Sequence, residues 1–168
     1  MNRYAILTCE FPFQATHHLP GYCDPYDCPH SHSYRLQISL RGPVQEDPRR
    51  SDDGMVIAFE DLQRSIESMI LQGIYLDVPC RDATHGGLDQ NDLNRLTGIR
   101  TTAENLVHWI WDGLVAAGVP DDLLYRIRLW VTEKWCAEIT HAERETDTII
   151  PEPYHLLGRR TPETGAHC

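Results

Sequence analysis

The chain has 168 residues, 41% hydrophobic and 24% charged, the size and balance of one soluble domain with a real core. Its formal charge of −10 excludes a general nucleic-acid binder, which needs a basic face for phosphates. No run of about 18 apolar residues occurs, so no membrane-spanning helix is expected, and the start MNRYAILTCEFPF is read as lacking a secretory signal.

Residues 4–14, rich in Tyr, Ile, Leu and Phe, read as a strand. Residues 15–29 carry Pro20, Gly21, Pro25 and Pro29 and read as a loop. Period-2 alternation follows. His30, His32, Tyr34, Leu36, Ile38 and Leu40 share one face, and Ser31, Ser33, Arg35, Gln37 and Ser39 share the other. After a hydrophilic loop, Met55-Val56-Ile57 reads as a short strand. Phe59, Leu62, Ile66, Met69 and Ile70 then form one stripe of an amphipathic helix.

Residues 77–100 read as loop. Thr101 and Glu104 have capping-box spacing, and Leu106, Ile110, Leu114 and Val115 give a second helical stripe ended by Gly118 and Pro120. Tyr125, Ile127, Leu129 and Val131 alternate with polar neighbours as a strand, and a last strand is expected near 147–156. Trp109, Trp111, Trp130 and Trp135 read as core or interface residues. The order implies an α+β domain over residues 1–150, with helices on one face of an antiparallel sheet and a tail over 151–168. Six scattered cysteines (Cys9, Cys23, Cys28, Cys80, Cys136 and Cys168) are expected to be mostly reduced thiols of a cytoplasmic protein.

The chemistry concentrates on histidine. On a strand, the His30-Ser31-His32 step points both imidazoles to one side, roughly 6.5–7 Å apart. His17 from a neighbouring strand completes a three-nitrogen pocket. Zinc accepts such a set at about 2.0–2.1 Å and keeps a fourth position open, the pattern of a catalytic site. Cys23, Cys28, His30 and His32 form an alternative, closed set of ligands.

Five ordered segments carry a resemblance. Phe13-Gln14-Ala15-Thr16-His17-His18-Leu19 resembles the Phe-x-Ala-x-His-x-Leu of the 6-pyruvoyl-tetrahydropterin and 6-carboxytetrahydropterin synthases. His30-Ser31-His32-Ser33-Tyr34 is similar to their His-Gly-His-x-Tyr, and Gly54-Met55-Val56-Ile57-Ala58-Phe59 to their Gly-Met-Val-x-Asp-Phe. Leu88-Asp89-Gln90-Asn91-Asp92-Leu93-Asn94 resembles Leu-Asp-His-x-x-Leu-Asn. Thr101-Thr102-Ala103-Glu104-Asn105 resembles Pro-Thr-x-Glu-Asn, with Thr101 at the proline.

The resemblance implies a T-fold: an antiparallel sheet with two helices on one face, closed into an oligomeric β-barrel. It implies a homohexamer with active sites at subunit interfaces, a small-molecule substrate, and no nucleic-acid or membrane partner. Carried over, it makes His17, His30 and His32 the Zn2+ ligands, Asp89 a catalytic carboxylate, and Glu104 a residue near the substrate pocket. In the family, zinc polarises hydroxyl and carbonyl oxygens of a substrate side chain while a nearby base moves protons.

Departures fall on the other machinery. The relay histidine is Gln90, whose amide has no titratable proton near neutral pH. The family cysteine positions hold Tyr26 and Asp24, so a catalytic thiol has to come from Cys23 or Cys28. The substrate-anchoring glutamate is Val131, and Glu133 is expected on the same strand face. His85 is a candidate replacement relay. The expected activity is therefore that of a zinc-dependent lyase or cyclase with an altered site. The alternatives are an ordinary 6-carboxytetrahydropterin synthase and a non-catalytic scaffold that keeps zinc.

Overall fold

The structure is a computed structural model that describes residues 3–22, 25–71 and 92–145, without the side chains of 67–71. The strand expected near 147–156 and the tail lie outside the described residues.

Strands β1 (Tyr4–His17) and β2 (His30–Pro43) pair antiparallel from Tyr4 opposite Pro43 to His17 opposite His30. Strands β3 (Leu124–Trp130) and β4 (Cys136–Thr140) complete an antiparallel sheet in the order β1-β2-β3-β4. Strand β1 is longer than its punctuation suggests. Phe13, Ala15 and His17 stay buried at alternate positions, so the inward face continues past the expected end. Met55-Val56-Ile57 is not a strand. Gln45 and Met55 close a turn by backbone bonds instead, and Val56 packs under Gly42, where a Cβ would lie 2.8 Å from Val56 Cγ1.

Helix α1 (Phe59–Leu71), the one-turn α2 (Leu93–Thr97) and α3 (Ala103–Ala116) follow. The short α2 replaces part of the expected 77–100 loop, capped by Asp92 and ended at Gly98 with φ 65°. Leu62 and Ile66 of α1 and Leu106, Ile110, Trp111 and Leu114 of α3 share one core with Tyr34, Leu36, Ile38, Ile127 and Leu129 of the sheet. Each such large apolar side chain contributes about 1.5–3 kcal/mol through burial. Phe59, the first residue of α1, departs from its stripe and is 68% exposed. A five-residue helix, α4 (His141–Glu145), ends the described chain.

Among the described residues, no helix covers the opposite sheet face. Arg35, Gln37, Arg126, Arg128, Trp130 and Glu138 lie there, with Arg128 bonded to Glu138 and the Arg35 guanidinium 4.2 Å from the Trp130 ring centre. Layering thus leaves one apolar and one polar face, as the alternation in β2 and β3 requires.

Candidate metal centre

The β1–β2 register builds the site. His17 faces His30 directly, and Ala15 faces His32, so His32 is the diagonal neighbour of His17. All three imidazoles point to the helix-covered face. Their ring centres lie 4.6 Å (His17–His30), 5.0 Å (His17–His32) and 4.9 Å (His30–His32) apart. One nitrogen from each falls within 4.8 Å of the others, and this is the one such His/Cys/Asp/Glu group found among the described residues.

Two of the rings are locked by their far nitrogens. His30 Nδ1 lies 2.9 Å from the Cys28 carbonyl oxygen. His17 Nδ1 lies 3.0 Å from the Thr101 carbonyl and 3.1 Å from its hydroxyl. A carbonyl only accepts, so each Nδ1 carries the proton and each Nε2 keeps its lone pair. Both Nε2 atoms are buried and lack any hydrogen-bond partner among the described residues. A buried nitrogen with nothing to bond costs stability. Neutral imidazole lone pairs turned toward one another are also the donor set zinc takes. The residues therefore fit the ion the sequence implies.

Protonation follows the same logic. Burial first, and the nearby His30 imidazole second, hold His17 down to about 4 against an ordinary 6.5. Burial also lowers His32. His17 and His32 thus stay neutral and ligand-ready at pH 7. Beside it, burial pushes the Tyr34 phenol up, and its hydroxyl has no partner among the described residues.

A pH prediction follows. In protein stripped with a chelator, the unfolded chain protonates His17 near 6.5 and the fold only near 4. Between those values the unfolded state holds more protons, so stability falls as pH drops from 6.5 to 4, by roughly 3 kcal/mol in all. Urea midpoints at neutral and acid pH measure this, and His17→Gln should flatten the slope.

The other candidates are placed less favourably. Cys28 is disulfide-bonded, against the expectation of reduced thiols. A disulfide sulfur is neither thiolate ligand nor nucleophile, so the closed set with Cys23, Cys28, His30 and His32 loses a member. Cys9 and Cys136 are free thiols, as expected. Glu104 is exposed in the first turn of α3. Strand β3 ends at Trp130, so Glu133 is not on its face; it is exposed in the β3–β4 turn, where Val131 N and Thr132 N bond the Trp135 carbonyl. Cys23, His85, Asp89 and Gln90 lie outside the described residues.

Two residues escaped the sequence reading. Thr101 was expected to cap α3, but Thr102 does so, accepting from Asn105 N at 3.4 Å. Asn94 clasps the peptide of His18, accepting from its N–H and donating to its carbonyl, both at 2.9 Å. Threonine where the resembled motif has proline was the available signal.

Comparison with known proteins agrees with this geometry. The family profile described as 6-pyruvoyl tetrahydropterin synthase matches residues 6–142. A 6-pyruvoyl tetrahydrobiopterin synthase of Poecilia reticulata is 36% identical over 115 residues, covering 68% of this chain and 66% of that protein. The chain thus spans just under two thirds of that relative's length. A 6-carboxy-5,6,7,8-tetrahydropterin synthase of Haemophilus influenzae is 30% identical over 135 residues, covering 75% of this chain and 92% of that protein. The structure of Caenorhabditis elegans 6-pyruvoyl tetrahydropterin synthase superposes with a TM-score of 0.63 at 18% identity, covering 83% of this chain and 96% of that one, and so the fold is the T-fold. The extent of the profile match and these two relatives place this chain in the 6-pyruvoyl tetrahydropterin synthase family.

Proposed function

We propose that this chain is a zinc-dependent lyase or cyclase whose proton-moving and substrate-anchoring groups differ from those of its relatives. Its substrate is a pterin-like or other small molecule bearing adjacent carbonyl and hydroxyl groups. The observation that supports this reading is the pair of buried, unpartnered Nε2 atoms of His17 and His30 facing each other beside His32. A zinc ion held there would supply Lewis acidity, polarising the substrate's oxygens and making adjacent protons more acidic.

The protein's own groups do the rest. Fixed Nδ1 contacts hold the rings of His17 and His30 to one direction, which orients a bound oxygen-bearing side chain. Asp89 is the proposed carboxylate base, with Gln90 beside it positioning rather than relaying, since an amide does not exchange a proton at neutral pH. Cys23 or Cys28 is the proposed catalytic thiol, Cys28 only once its disulfide is reduced. Glu104 and Glu133 are proposed substrate contacts, each requiring a neighbouring subunit or a bound substrate to leave solvent. β1 and β4 lie at the ends of the described sheet, and such open edges favour closure between copies, in keeping with a homohexamer.

The test is incubation of zinc-loaded protein with dihydroneopterin triphosphate, with products followed by mass spectrometry. Weak or absent turnover by protein that binds the compound and holds zinc supports altered specificity. Turnover at an ordinary synthase rate overturns it in favour of an unmodified 6-carboxytetrahydropterin synthase, the reading supported by the 92% coverage of the Haemophilus relative. Stoichiometric zinc with neither binding nor turnover of any carbonyl substrate leaves a scaffold.

A further inference from the structure

We infer that Thr101 is a positioning residue of the metal centre, its backbone carbonyl fixing the tautomer of His17 and its hydroxyl fixing the direction of the ring. The inference rests on the three-histidine reading and goes beyond it, because it assigns affinity to a residue that touches no metal. Thr101 is fully buried, and His17 is 6% exposed. The His17 Nδ1–H is shared between the Thr101 carbonyl at 3.0 Å and its Oγ1 at 3.1 Å. The hydroxyl's own proton then has two acceptors within reach, the His18 carbonyl at 3.3 Å and Asn94 Oδ1 at 3.4 Å.

Asn94 closes the loop through its two 2.9 Å bonds to the His18 peptide. The ring of His17 and the backbone just after it are therefore held by one buried network. That network draws together segments 76 to 84 residues apart in the chain. A carbonyl alone would fix which nitrogen is protonated. The hydroxyl adds a second acceptor out of line with the first, so the ring cannot pivot about a single bond. Partners of this kind set ligand orientation and basicity.

The experiment measures zinc affinity by chelator competition in wild type, Thr101→Val and Thr101→Ser. Valine keeps the shape and removes the hydroxyl; serine restores it. Thr101→Val should weaken zinc binding about 10–100-fold, and Thr101→Ser should stay within about threefold of wild type. The visible spectrum of the cobalt-substituted protein should change in the valine variant and return in the serine variant, which loss of general stability would not produce. Unchanged affinity and spectrum in Thr101→Val overturn the inference while leaving the three-histidine reading intact. Failure of wild type to hold stoichiometric zinc overturns both. Should the valine variant not fold, Thr101→Ala takes its place: weakened zinc binding and a changed cobalt spectrum sustain the inference, and both unchanged overturn it.

Discussion

His30→Ala should yield a folded protein without zinc. The substitution removes one of three nitrogen donors and leaves a two-ligand remnant. The expected loss in affinity is on the order of 10³-fold or more, beyond the 10–100-fold typical when only an orienting partner is lost. Elemental analysis after dialysis should fall from about one zinc per chain to below about a tenth. The fold should persist, because His30 is only half-buried and its sole described side-chain bond is to the Cys28 carbonyl at the sheet's end. His17→Ala is the less clean variant. It strands the buried oxygens of Thr101 and should cost a further 1–3 kcal/mol or so of stability. Full zinc in His30→Ala would dismiss the three-histidine centre.

Trp111→Ala should be the most damaging single change to stability. Trp111 is completely buried on α3, between the sheet and the chain that returns to it. Its indole Nε1–H donates to Asp121 Oδ1 at 2.6 Å, pinning the 3-10 turn that leads into β3. Truncation opens a large cavity and breaks that tie. The expected cost is about 3–5 kcal/mol, a third or more of a typical domain's stability. Asp121→Ala should cost less, about 1–3 kcal/mol, because it keeps the packing and leaves only the buried indole N–H without its acceptor. Urea unfolding of both variants separates packing from the hydrogen bond. A loss below about 1 kcal/mol in Trp111→Ala would mean that this core is far looser than its burial implies.

Much of this molecule is legible in its sequence. Alternation in His30 to Leu40 gave β2 and the face of both its histidines, because a half-buried strand must alternate. Helical period likewise marks Leu62 and Ile66 of α1 and Leu106, Ile110 and Leu114 of α3, which are buried, whereas Phe59 and Val115 are exposed. Three things were hidden. The end of β1 was masked by the prolines and glycine after it, although Ala15 and His17 continue the inward series. The capping residue was misplaced by one, since Thr101 and Thr102 are locally interchangeable and only a histidine 84 residues away decides between them. The alternation through Val131 extends the strand pattern to Glu133, whereas the chain turns after Trp130 and pairs Val131 N with the Trp135 carbonyl. Local patterns report local forces; these outcomes were set by contacts distant in sequence.

The placement of His17 opposite His30, at the last rung of the β1–β2 ladder, carries a final consequence. Sliding one strand past the other by a single position would put His17 and the His30/His32 pair on opposite faces of the sheet, so the three rings would no longer meet. An ion at this group would therefore report the register itself, because only the aligned hairpin brings the three rings within reach of one another.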